Sequence, residues 1–200
     1  MTSYLFIYWV APIMAFASTT DSAESDKSMT LFSFERNAEV SRWYPINDGV
    51  MGGVSDGRLE HTADGALRFF GVVSLENNGG FASVRSRPAV MDLSRYTGVL
   101  IRVRGDGKRY ALNLETDFQI RAGSYRCKFA TEPAKWVELY FPFSDFQATS
   151  FGVKLDRAPS LNTKEIRSLG LLISDKQAGP FSLDVEWIRA VAKPPSPAKE

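Results

Sequence analysis

The segment Asn47 to Gly57, NDGVMGGVSDG, has the composition of a loop that brings backbone N–H groups up to a phosphate. Gly52, Gly57 and Arg58 come close to the spacing of a P-loop. Arg58-Leu59 stands where Lys-Ser/Thr is required, however, and no strong helix follows, so the lysine, the magnesium-binding hydroxyl and the helix dipole are all missing. Turn chemistry explains the loop better, with Asn47-Asp48-Gly49 reversing the chain and Gly52-Gly53 allowing a close backbone approach. No G-x-G-x-x-G opens a helix after a strand, which removes dinucleotide binding. One histidine, His61, and one cysteine, Cys127, cannot build a zinc site or an intramolecular disulfide. They also leave almost no histidine-dependent catalysis open. His61 reads as a surface residue beside the Thr62–Gly65 turn, and Cys127, between Tyr125 and Phe129, as a buried apolar thiol. The spacing of the carboxylates selects no pair for glycoside hydrolysis. The chain is therefore expected to be no enzyme, with no catalytic residue, no metal and no cofactor.

Binding chemistry is better represented. The fifty residues from Phe81 to Ala130 hold ten Lys/Arg and four acids, although the whole chain carries a net charge of only +1. Strand alternation sets Arg85 with Arg87, Arg102 with Arg104, and Arg126 with Lys128 on the polar side of their strands. If these strands share a sheet, its outer face is basic: either a solvated face paired with Glu115, Asp117, Glu138 and Glu186, or a site for an anionic ligand or acidic protein. Trp136 and Tyr140 stand on the polar side of their own strand, where they either cover core edges or offer a stacking surface for a sugar. Trp43 and Tyr44 precede the glycine loop. The candidate binding residues are Asp48, Arg85, Arg102, Arg104, Arg126, Trp136 and Tyr140. A near-neutral charge argues against a nucleic-acid partner.

The elements that must position these residues have period two. Val99, Ile101 and Val103, then Tyr110, Leu112 and Leu114, alternate with polar residues across Gly105-Asp106-Gly107, which reads as a tight hairpin. Tyr125, Cys127 and Phe129 follow, then Val137, Leu139 and Phe141, and finally the longest run, with Phe181, Leu183, Val185 and Trp187 facing one way. With Leu31–Phe34, Leu67–Val72, Phe81–Ser86 and Leu169–Ser174 this makes nine or ten strands, an all-β jelly-roll sandwich with little helix. Only Asn162 to Leu169 reads as a turn or two of helix, opened by an Asn cap.

Two hundred residues accommodate one such domain plus appendages. Residues 1–17 read as a signal peptide: a 14-residue apolar run from Tyr4, too short for a stable membrane span of about 20 residues, ends in Ala15-Phe16-Ala17. The pattern implies a periplasmic or extracellular protein, with an uncleaved, membrane-tethering leader as the alternative because Met1-Thr2-Ser3 has no Lys or Arg. Residues 18–28 read as a polar linker, 29–192 as the β-sandwich and 193–200 as a disordered Pro-rich tail.

Several separated motifs resemble one family. Asn47 to Ser55, Gly79 to Arg85, Asp92-Leu93-Ser94 with Tyr96, Arg102 to Tyr110, and Asp175 to Phe181 with Trp187-Ile188 occur in the order found in the complex I intermediate-associated protein 30 family. The resemblance spans about Leu31 to Val191. It implies a galactose-binding-like jelly roll, and a non-catalytic assembly factor or chaperone of respiratory complex I that acts through protein contact. An unidentified protein partner is expected on that basis, acidic in character if the basic face is where it docks; a carbohydrate-binding module on the same fold is the alternative.

Overall fold

Alternation at period two gives each strand one apolar face, and the least costly way to hide two sheets of such faces is to press them together. The computed structural model describes residues 28–121 and 123–195. The expected leader, nearly all of the linker and the end of the tail lie outside the described residues. Thirteen strands follow in chain order: β1 (Ser28–Ser33), β2 (Trp43–Asn47), β3 (Asp56–His61), β4 (Leu67–Val73), β5 (Ala82–Ser86), β6 (Gly98–Arg104), β7 (Arg109–Thr116), β8 (Gly123–Ala130), β9 (Trp136–Pro142), β10 (Gln147–Ser150), β11 (Val153–Lys154), β12 (Ile166–Ile173) and β13 (Gly179–Val191). Among the described residues one four-residue α-helix, α1 (Asn37–Val40), lies between β1 and β2.

Two antiparallel sheets result. One runs β3-β4-β13-β6-β9, with β1 also paired to β13; the other runs β11-β10-β8-β7-β12-β5-β2. The core between them takes Phe69, Ile101, Val103, Phe141, Leu183, Val185 and Ile188 from the six-stranded sheet. From the seven-stranded sheet it takes Val84, Tyr110, Leu112, Leu114, Tyr125, Leu169 and Leu171. Each large apolar side chain removed from water in this way contributes on the order of 1.5–3 kcal/mol before the entropy of ordering it. Cys127 faces this core, half-buried, and burial pushes its thiol pKa up.

Three local expectations are corrected. Gly105-Asp106-Gly107 does not close a hairpin, since β6 and β7 belong to different sheets. The turn carries the chain across the sandwich. Asp106 holds it there by accepting from Ser182 N at 3.0 Å in one sheet and from the Tyr110 hydroxyl at 2.9 Å in the other. Burial, reinforced by the Asp106 charge, raises the Tyr110 pKa. Trp187 does not share the inward face of Phe181, Leu183 and Val185. An irregularity in register between Val185 and Trp187 turns it outward, against Leu100 and Val191. Asn162 to Leu169 supplies no α-helix: Asn162 caps a 3-10 turn over Thr163–Glu165, and Ile166 already begins β12.

Gly71 lies between β3 and β13 at φ +150°, where an added Cβ would run into the Asp56 carbonyl of the paired strand. Gly71→Ala is expected to lower stability in urea by about 2–3 kcal/mol, the order of cost for strained backbone at an incompatible position. Gly152→Ala, at φ +78° with nothing within 4 Å of the added carbon, is expected to lose less.

Candidate functional site

The glycine-rich loop is organised around one carboxylate. Asp48 is buried and accepts four hydrogen bonds: from Ser55 N at 2.9 Å, Ser55 Oγ at 2.6 Å, Gly80 N at 2.7 Å and Phe81 N at 3.3 Å. A Cβ on Gly53 would collide with this carboxylate, which explains the glycine there. Burial works against the ionised form, but the bonds from Ser55, Gly80 and Phe81 outweigh it and hold the Asp48 pKa below the usual carboxylate value. Asp48, expected as a binding residue, is thus a clamp tying the loop after β2 to the loop before β5, and its oxygens are taken.

The expected common basic face does not form. Arg102 and Arg104 lie on β6 in the six-stranded sheet, whereas Arg85 on β5 and Arg126 on β8 lie in the other. On the outside of the six-stranded sheet the charges are matched across strands. Asp184 accepts from Arg68 Nε at 2.7 Å and from Arg104 Nη2 at 2.7 Å, and Arg68 reaches Glu60 at 3.0 Å. These bonds, led by that to Asp184, raise the Arg68 pKa. Arg104 also meets Asp64 at 3.0 Å, and Arg102 pairs with Glu186 and Glu138. Trp136 offers no open platform: the Arg104 guanidinium sits 4.7 Å from its ring centroid and that of Arg102 5.6 Å. Tyr140 packs against Leu100, Trp187 and Val191, with its hydroxyl 2.8 Å from Thr97 Oγ1. His61, expected at the surface, is half-buried with Nε2 2.8 Å from the Phe34 carbonyl oxygen.

The outer face of the seven-stranded sheet differs. Ala111 and Leu172 point away from the core, yet they are only 3% and 4% exposed, and Ser83, Asn113, Ser124 and Ser168 are also buried. Among the described residues no further layer covers this side, and its small central side chains, sunk between longer ones at the margins, leave a shallow groove. Register places Gln147, Arg126, Asn113, Gly170, Arg85 and Tyr44 in one row across it, a residue from each of β10, β8, β7, β12, β5 and β2. Arg85 pairs with Glu115 at 2.8 Å, and the other Glu115 oxygen accepts from Ser168 Oγ at 2.8 Å. Lys128 pairs with Asp175 at 2.7 Å. At one end, below the loop after β7, a cleft of about 510 Å³ is lined by Arg85, Glu115, Asp117, Phe118, Ser124 and Arg167, among others.

Arg126 is the exception in this groove. Among the described residues it is in no ion pair, and its Nε only approaches Ser124 Oγ, at 3.4 Å. Burial lowers its pKa, opposed by the Asp175 charge and assisted by that of Arg85. Asn113, its partner across the β7–β8 ladder, has a buried Oδ1 with no hydrogen-bond partner. Of these groove residues, sequence reasoning singled out Arg85 and Arg126 but not Asn113 or Ser168. Alternation does put Asn113 and Glu115 on one side of β7, but only strand pairing brings them beside Arg126 and Arg85.

The model of the family described as Complex I intermediate-associated protein 30 (CIA30) matches residues 32–185. The chain belongs to this family. A mouse relative named complex I intermediate-associated protein 30, mitochondrial, is 25% identical over 84% of this chain and 58% of its own length. A Drosophila melanogaster relative of the same name is 26% identical over 79% and 61%. This chain thus spans about three-fifths of the length of these two relatives. These names overturn the expectation of an exported, periplasmic, extracellular or leader-tethered protein. A short apolar run before an Ala-x-Ala sequence is a compositional pattern of low specificity. Among the described residues no helix is long and apolar enough to cross a membrane. Among solved structures, a family 11 carbohydrate-binding module from Clostridium thermocellum in complex with a beta-1,3-1,4-mixed-linked tetrasaccharide is similar in fold. Its TM-score is 0.61 at 14% identity, covering 83% of this chain and 96% of the module.

Two expected outcomes separate the clamps from the surface charges. Asp48→Asn should lower stability by about 2–3 kcal/mol near neutral pH, the cost of disturbing a buried charged hydrogen-bond network. Because the folded pKa lies below the unfolded value of about 3.9, the stabilisation is complete above that value and is lost as pH falls through the folded pKa. Urea midpoints of the two proteins should therefore converge in strong acid. Asp184→Asn should cost about 2–3 kcal/mol by leaving Arg68 and Arg104 short of their shared acceptor, whereas Arg102→Gln, on a more exposed pair, should cost under about 1 kcal/mol. Equilibrium unfolding of the variants measures both.

Proposed function

We propose that this protein is a non-catalytic binding module that assists the assembly of respiratory complex I by holding a protein partner, in the mitochondrion as the names of its relatives give. The observation that carries this reading is the family match across residues 32–185, nearly the whole described sandwich. The chemistry of the carboxylates supports it. Asp48, Asp184 and Glu115 each have both oxygens engaged by fixed donors, which leaves none of the three ready to take or deliver a proton. The groove on the seven-stranded sheet supplies the surface, since it carries side chains whose bonding capacity is unmet. The carbohydrate-binding alternative has the shared fold in its favour, but the stacking platform it relies on, Trp136, is covered by two arginines.

Deleting the gene in its own organism is the direct test. Native electrophoresis should then show incomplete complex I subassemblies and loss of NADH-dependent quinone reduction, both restored by the full chain. Complex I of normal size and activity in the deletion strain would overturn the proposal.

A further inference from the structure

On the outer face of the seven-stranded sheet Arg85 has Glu115 and Lys128 has Asp175, whereas half-buried Arg126 has no ion-pair partner among the described residues. A half-buried guanidinium with five N–H donors and one long approach to a serine hydroxyl is costly to keep unless a second molecule completes it. Immediately across the ladder, Asn113 is 9% exposed and its buried Oδ1 has no hydrogen-bond partner. A planar cation and a planar amide, each with unmet bonding capacity, thus lie side by side on one face of the sheet.

We propose that this groove receives an extended acidic segment of a partner protein, with one Glu or Asp carboxylate on Arg126 and the adjoining peptide group on Asn113. The match is one of bonding inventory. A carboxylate takes two parallel N–H groups from the guanidinium, and whichever way the Asn113 amide is turned, a peptide group offers the complementary N–H or C=O. A neutral sugar lacks the anion, and a simple carboxylate lacks the peptide group. The shape agrees with a chain as occupant. Six strands at about 4.8 Å spacing give a row roughly 24 Å long. Its middle position is Gly170, where an added Cβ would sit 3.0 Å from the Val84 carbonyl oxygen. Exposed Tyr44 closes one end and Gln147 the other.

This assignment rests on the protein-binding reading above, and the experiment separates the two. The full chain is titrated calorimetrically with a blocked octapeptide alternating Ser and Glu, its Gln twin, glutarate, and a mixed-linked β-glucan tetrasaccharide. The Glu peptide should bind at least about tenfold more tightly than the Gln twin, a margin that added salt reduces. Arg126→Gln should erase that preference, while Asn113→Ala should weaken both peptides and keep it. The melting temperature of Arg126→Gln should equal or exceed that of the unaltered protein, because the substitution removes a desolvated charge that no carboxylate satisfies. In the deletion strain, Arg126→Gln should fail to restore complex I.

Equal binding of both peptides, no binding, glutarate binding as tightly as the Glu peptide, or the tetrasaccharide binding in its place would each overturn the assignment. So would a fall in melting temperature of more than about 5 °C, which would make Arg126 structural. If complex I is normal without the gene while the Glu peptide still binds through Arg126, only the assembly reading fails. If complex I needs the gene but Arg126→Gln restores it fully, only the groove assignment fails.

Discussion

The hydrogen-bonding demand of one strand organises the sandwich. Strand β13 is 13 residues long and must satisfy its backbone groups along both edges. On one edge it pairs with β6, and on the other with β4 over its first half and β1 over its second. That arrangement joins the two ends of the chain's described part in one sheet and puts residues from four strands against the same core. The ladder with β6 carries an irregularity at Glu186, beyond which Trp187 faces outward and founds a small second cluster with Leu100 and Val191.

Carboxylates that are buried, or half-buried in the case of Asp106, perform a related task where the backbone alone cannot. Asp48 collects the donors of two loops, Asp106 pins a crossing between sheets, and Asp184 binds arginines from two strands. In each case a negative charge taken from water is offset by several directed N–H or O–H donors, the condition under which burying a carboxylate is tolerable. The glycine-rich loop owes its composition to this requirement. Gly53 leaves room for the Asp48 carboxylate, and the Gly80 N–H can approach it closely.

The two outer faces were made unlike by the same pairing rules. On the six-stranded sheet every arginine of the β6 pair found acids on its neighbours, and Trp136 was covered in the process. On the seven-stranded sheet the central strands present Ala111, Gly170 and serines, so the surface sinks between longer side chains at its margins. A charge left without a partner in such a depression carries more information about a ligand than a larger number of solvated charges on a flat face. In low dielectric its pairing preference is stronger and more geometrically selective.

Alternation and turn composition alone determined that this chain is an antiparallel β-sandwich and which residues of β6, β7, β8 and β9 face the core. Those properties depend on neighbours two residues away, and one sequence contains them. The ordered motifs from Asn47 to Ile188 likewise made the family legible. What only the tertiary structure decided was pairing. Arg104 meets Asp184, eighty residues distant, Glu115 meets Ser168, fifty-three distant, and β6 and β7 part into different sheets despite the turn between them. Local periodicity fixes the side of a strand on which an arginine stands, but not which strand lies beside it. For that reason Arg102, Arg104 and Arg126 look alike in the sequence, while the fold neutralises the first two and leaves the third open in a groove.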